Sequence, residues 1–117
     1  MFKINPNPTF TAKVSLSVPG DAAPVVIDIE FKHKGRAAYA AWWESVPTAK
    51  TGDGARRTDA DILDEVMVGW TGPLDDKGEP VPYSRDALSQ LLDNYPASTM
   101  EIYEAYRRAL WESREKN

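Results

Sequence analysis

At 117 residues, with a formal net charge of -4 and a pI near 4.9, the chain has the length of one domain, and its acidity argues against a nucleic-acid binder, whose affinity rests on a basic surface meeting phosphates. It contains no cysteine, which excludes a disulfide framework, a thiolate zinc site and a cysteine nucleophile. Aromatics at 10%, four of them tryptophans, mark a sequence that folds and set it apart from an acidic disordered tail.

The opening MFKINPNPTFTAKV carries no apolar leader core, and no stretch approaches the ~18 apolar residues of a membrane span, so a soluble cytoplasmic protein is expected. From Thr9 to Val18 the residues alternate strictly, with Phe10, Ala12, Val14, Leu16 and Val18 on one face. Turn chemistry follows over Pro19–Pro24, and then Val25, Ile27, Ile29 and Phe31 alternate against Asp28, Glu30 and Lys32. The pair predicts an antiparallel hairpin over about 9–34 with one apolar face. Two strands alone are marginal and leave open edges, so helices must cover the face, and self-association is one way to manage the edges.

Gly35 breaks the strand. The alanine-rich run from Arg36 predicts a first helix over about 36–46, with Tyr39, Trp43 and Val46 turned inwards and Pro47 as its stop. On that frame Trp42 lies at the helix boundary, half-exposed. The segment from Thr48 to Arg57 has glycines and charge without periodicity and reads as a loop. Thr58 then caps a second helix over about 58–69, with Ile62, Leu63, Val66 and Met67 inwards. A proline-rich loop, Gly72–Pro82, leads to a third helix over about 85–95, capped by Ser84, lined by Leu88, Leu91, Leu92 and Tyr95, and stopped by Pro96. Ser98 and Glu101 have capping-box spacing for a fourth helix over about 99–114, whose Arg107, Arg108, Arg114 and Lys116 gather towards its C-terminus. The expected architecture is a single α+β domain over 1–117, an N-terminal antiparallel hairpin packed on a C-terminal bundle of about four helices.

Chemistry is sparse in this chain. His33, the lone histidine, sits in KHKGR at a strand end, without a nucleophile elbow to build a triad around it; it reads as a structural or solvated residue. Asp59, Asp61, Asp64 and Glu65 lack calcium-loop spacing and read as helix-end charge. The Asp75–Glu79 run reads as a turn, and Gly52-Asp53-Gly54 lacks the lysine of a phosphate loop. No catalytic residue, metal ligand or cofactor is expected, although a carboxylate-and-metal hydrolase stands as a rival class.

Lys32, His33, Lys34 and Arg36 precede a helix N-terminus, where positive charge is unfavourable by about 0.3–1 kcal/mol. Either a carboxylate of the same subunit or an acidic patch on a partner would offset it. Trp42 and Trp111 fall at the margins of their helical stripes, Trp111 on a face with Met100, Tyr103 and Arg107. Half-exposed tryptophans anchor interfaces more often than other residues do. The interaction candidates are therefore Lys32, Lys34, Arg36, Trp42, Met100, Arg107 and Trp111.

The stretch VGWTGPLDDKGEPVPYSRDALSQLLDNYPASTMEIYEAYRRAL carries, in order, Gly69-Trp70-Thr71-Gly72 followed by Leu74, a charged loop, Pro82-Tyr83-Ser84 leading to Leu88, and Leu92 leading to Tyr95-Pro96. With the basic FKHKGR and the helix after it, this order resembles the small tail assembly chaperones of phages and prophages with long non-contractile tails. The resemblance implies a non-enzymatic role in the host cytoplasm. Such proteins bind the long helical tape measure protein, keep it soluble, help bring major tail protein to it, and are not expected in the mature virion. It also implies self-association, and a minority form lengthened by a programmed ribosomal frameshift that recruits the major tail protein. Glu115-Lys116-Asn117 permits a slippery A AAA AAC in its codons, and synonymous codons would abolish it. The rival from another class is a small regulatory or inhibitory module that binds one protein as a monomer.

Overall fold

The computed structural model describes residues 2–50 and 58–112, with only the backbone of 47–50 included. Alternation builds the sheet. Thr9–Leu16 forms β1 and Val25–Lys32 forms β2, antiparallel and in register from Thr9 opposite Lys32 to Leu16 opposite Val25. A strand's side-chain period is two, so Ala12, Val14, Leu16, Ile27, Ile29 and Phe31 share one face, and all six are buried.

A third strand, β3 (Met67–Thr71), pairs antiparallel with β2 and makes β2 the central strand of the order β1-β2-β3. It replaces the second half of the helix expected over 58–69. Helix α2 spans only Asp59–Asp64, held by a capping box in which the Thr58 side chain and the Asp61 side chain each accept from the other's backbone N–H. The turn that ends it is tight: Glu65 N–H donates to the Ile62 carbonyl and Val66 N–H to the Leu63 carbonyl, both three residues back. The Val66 carbonyl then accepts from Lys32 N–H at 2.8 Å, which docks the chain on β2, with a register shift between Glu30 and Phe31 that marks a bulge.

Helix α1 spans Arg36–Lys50 and so runs past Pro47, the expected stop. Of the loop expected over 48–57, residues 48–50 are helical and 51–57 lie outside the described residues. Helix α3 (Arg85–Asn94) is capped as expected, the Ser84 hydroxyl accepting from Ala87 N–H at 3.0 Å. Leu88 is its fully buried residue, while Leu91 and Leu92 are half-buried. Helix α4 spans Ser98–Trp111 without a side-chain cap. Instead of closing a capping box, Ser98 donates its hydroxyl to the Tyr95 carbonyl at 2.6 Å, and Glu101 reaches across to Ser17 of the hairpin, accepting from its backbone N–H at 2.9 Å and from its hydroxyl. Arg114 and Lys116 lie outside the described residues.

The apolar sheet face is covered by the helices in one shared core that includes Ile62, Leu63, Val66, Leu88, Ile102 and Tyr106. Among the described residues the α+β architecture with an N-terminal hairpin and four helices is therefore as expected, with one strand more. Polar ties lock the helices together: Arg85 Nε to Asp61 at 2.6 Å, Tyr83 hydroxyl to Asp64 at 2.6 Å, and Tyr103 hydroxyl to Asp59 at 2.9 Å. The carboxylates of α2 are thus engaged in holding α3 and α4. At the far edge of the sheet β1 has no neighbouring strand among the described residues. His33 N–H donates to the Pro8 carbonyl at 2.8 Å, while Ser17 N–H turns away from β2 to Glu101.

Candidate protein-binding site

Arg36 opens α1, and no acidic residue stands in that first turn. Lys32, Lys34 and Arg36 have no carboxylate within ion-pair distance among the described residues. Of the two ways to offset this positive charge, a carboxylate of the same subunit is thus not found there. The segment is nevertheless held in place, because the buried Tyr106 of α4 donates its hydroxyl to the Lys32 carbonyl at 2.7 Å.

Beside it stands a cluster of aromatic rings from α1 and α4. Tyr106 lies against Phe31 with ring centres 4.8 Å apart, stacks on Phe10 at 6.4 Å, and meets Trp42 edge-on at 5.5 Å. Trp42 also packs on Tyr39 at 5.6 Å and Tyr103 at 6.0 Å, and its Nε1 is buried without a hydrogen-bond partner among the described residues. Further out, Tyr39 stacks parallel to Trp43 at 6.4 Å and meets Trp111 edge-on at 4.9 Å.

The expected roles of the adjacent tryptophans are exchanged. Trp42 is 7% exposed and belongs to the core, whereas Trp43 is 42% exposed. The inward stripe of α1 is Tyr39, Trp42 and Val46, spaced three and four, which a helix accommodates as readily as the Tyr39-Trp43-Val46 frame. Trp42 therefore supports the surface from beneath.

Between the two helices lies a pocket of about 340 Å³ lined by Arg36, Tyr39, Ala40, Trp43, Glu44, Arg107 and Trp111. Trp111, half exposed, walls it from the end of α4. Arg107 is clamped by both oxygens of Glu104, at 3.1 and 2.6 Å, which holds the Glu104 carboxyl below its ordinary range. Burial raises the Tyr39 phenol, with Arg107 pulling it the other way. Of the sequence candidates, the pocket brings together Arg36, Arg107 and Trp111, with Lys32 and Lys34 on the turn just before it. Met100, 64% exposed, is elsewhere: it lines a groove between α4 and the outer edge of β1. Sequence reasoning missed Trp43, Tyr39 and Ala40 as lining residues; the signal that could have found them is the second helical frame of α1.

His33 is exposed, its ring edge-on to Phe10 at 6.5 Å. The Asp75 carboxylate accepts from the backbone N–H of Lys77 and of Glu79 at 2.8 and 2.9 Å, forming the turn that its sequence suggests. Among the described residues no three acidic or histidine side chains converge as metal ligands, and no helix is long and apolar enough to cross a membrane.

The half-exposed Trp43 and Trp111 thus stand over an apolar pocket, with Lys32, Lys34 and Arg36 beside it lacking carboxylate partners among the described residues. The comparison along the sequence narrows the class: the family model described as phage tail assembly chaperone matches residues 1–117, the whole chain. The chain belongs to the phage tail assembly chaperone family. Neither a curated protein nor a solved structure matches it.

The motifs that carried the resemblance are mostly framework. Trp70 Nε1 donates to the Val81 carbonyl at 2.8 Å and its ring meets Tyr83 edge-on at 5.1 Å. Gly72 takes a φ of 136°, Ser84 caps α3, and the Tyr95 carbonyl receives Ser98 at the start of α4.

Proposed function

We propose that this phage tail assembly chaperone acts by reversible binding of the tape measure protein, keeping that long helical client soluble and helping to recruit major tail protein to it. Membership of the family along the whole chain carries the reading. The uncovered rings and cations between α1 and α4 support it, because a client with apolar stripes aggregates unless they are covered. Lys32, Lys34, Arg36, Arg107 and Trp111, joined by Trp43, form the contact surface, Trp42 backs it, and Met100 belongs to a second patch. Copies of the chain associate along the client, so that many weak contacts add. A frameshift-extended form brings the major tail protein, and the chaperone stays in the host cytoplasm, leaving before the virion is mature. The mechanism is non-enzymatic.

The test is co-expression with the tape measure protein, followed by affinity purification and light scattering. Co-purification with several copies of this chain, and a client that is insoluble without it, supports the reading. A soluble client that ignores a monomeric chain overturns it and favours a regulatory module.

A further inference from the structure

We infer that the pocket between α1 and α4 receives Leu74 of a second copy of this chain, whose loop carboxylates Asp76 and Glu79 meet Arg36, Lys34 and Lys32. This rests on the chaperone reading above, in which copies associate along the client, and supplies the contact between them. The Gly72–Pro82 loop presents an apolar side chain beside acidic ones. Leu74 is 60% exposed, and Asp76 and Glu79 are exposed without an ion-pair partner among the described residues. The loop is also preformed: Asp75 N–H donates to the Glu79 carbonyl at 2.9 Å, Val81 N–H donates to the Pro73 carbonyl at 3.0 Å, and Gly78 closes the turn with a φ of 79°. Little conformational freedom is lost when such a loop docks.

Charge and position select a second copy. Arg36 lines the pocket itself, so the carboxylate that answers it has to lie close to the apolar anchor, as Asp76 does two positions from Leu74. The rings of Tyr39, Trp43 and Trp111 give a leucine side chain apolar walls. The signs also match elsewhere: Glu44 lines the pocket past Trp43, and the loop carries one cation, Lys77. Arg107 is already neutralised by Glu104 and contributes shape. The two surfaces lie at opposite ends of the sheet. Thr71, the last residue of β3, stands opposite Asp28, four residues or about 13 Å along β2 from Lys32, and the loop continues past Ile27. A pocket at one end with its complement at the other makes a heterologous pair, which joins copies head to tail into rows or rings. A row of this kind lies along a long client.

The experiment is sedimentation velocity of the full chain over a concentration series, at low and at raised salt. The wild type is expected to assemble as concentration rises and to come apart as salt is added. Leu74→Ser, Trp43→Ala, the pair Asp76→Lys with Glu79→Lys, and the pair Lys34→Glu with Arg36→Glu should each weaken assembly about tenfold or more. Mixing the two charge-reversed chains should restore it, because each then offers the surface that the other needs. Recovery in the mixture also shows that both reversed chains are folded, and the exposed Leu74 keeps the test open should Trp43→Ala fold poorly. A wild type that stays monomeric throughout, assembly indifferent to Leu74→Ser and to the reversals, or a mixture that stays apart overturns the inference. If the wild type is monomeric and Trp43→Ala abolishes solubilisation of the tape measure protein, the client fills the pocket in place of a second copy. If rows form as expected while the wild type fails to solubilise the tape measure protein, the contact stands and the client reading falls.

Discussion

The hydroxyl of Tyr106 donates to the carbonyl of Lys32 at 2.7 Å, joining the last helix to the end of the central strand at the point where the basic segment begins. The phenol is buried and its ring touches Phe10, Phe31, Tyr39 and Trp42. Tyr106→Phe keeps the ring contacts and removes the donor, so a loss of about 1–2 kcal/mol is expected in urea unfolding. Tyr106→Ala empties the centre of the cluster and should cost about 3–5 kcal/mol.

Trp42 and Trp43 should respond in opposite ways. Trp42→Ala removes a buried ring in contact with three tyrosines and is expected to lower stability by about 3–5 kcal/mol. Trp43→Ala, on a half-exposed ring, should lower it by about 1 kcal/mol and leave the circular dichroism spectrum in place.

Gly72 combines a φ of 136° with a close approach to β2: a Cβ built there would lie 2.7 Å from Ile27 Cγ2 and 3.3 Å from its Cα. Backbone strain and contact then act together. Gly72→Ala is expected to lose roughly 1–3 kcal/mol, read as a lower midpoint of thermal unfolding. Gly69→Ala, with nothing within 4 Å of the added carbon, is the control that should change little.

Stability should decline at both ends of the pH scale for separate reasons. The hydrogen bond from Arg85, followed by that from the Thr58 backbone, pulls the Asp61 carboxyl from its ordinary 3.8 down to about 2. Folding therefore favours the ionised form, whose stabilisation is complete above the ordinary value and lost as pH falls through about 2. Asp61→Asn should be less stable than wild type near neutrality, with the gap closing as acid is added. Burial, then the hydrogen bond to Asp64, raises the Tyr83 phenol above its ordinary 10.0, so folding favours the neutral form. That stabilisation is complete below the ordinary value and lost as pH rises through the raised one. Tyr83→Phe should flatten the alkaline limb of a pH series of unfolding midpoints.

The hairpin was legible because Ala12, Val14, Leu16, Ile27, Ile29 and Phe31 alternate without interruption, and α3 because Ser84 and Pro96 bracket a clear stripe. The third strand was hidden. Ile62, Leu63, Val66 and Met67 satisfy a helical period across the turn at Glu65 and Val66, and the bulge facing Glu30 and Phe31 interrupts the alternation that would have marked β3. Gly69 was the local clue, since glycine disfavours a helix interior by about 1 kcal/mol relative to alanine. In α4, Ser98 and Glu101 have capping spacing but take their partners from Tyr95 and Ser17, the second of them 84 positions away in sequence. Of the candidate site, the cations and Trp111 could be read from the chain. The pocket could not, because it depends on which of two adjacent tryptophans turns inwards, and packing against Tyr103 and Tyr106 decides that.

The bonds from His33 to Pro8 and from Ser17 to Glu101 show that even-numbered residues of β1 turn their amides to β2 and odd-numbered ones to the outer edge. Neighbouring amides on one strand should then report two clocks in deuterium exchange. Ala12 and Val14 exchange only when the sheet opens, whereas Lys13 and Ser15 exchange at the rate at which water reaches the groove beside α4. The ratio of those rates measures how well α4 shields the outer edge of β1, and it would rise the moment Glu101 let go of Ser17.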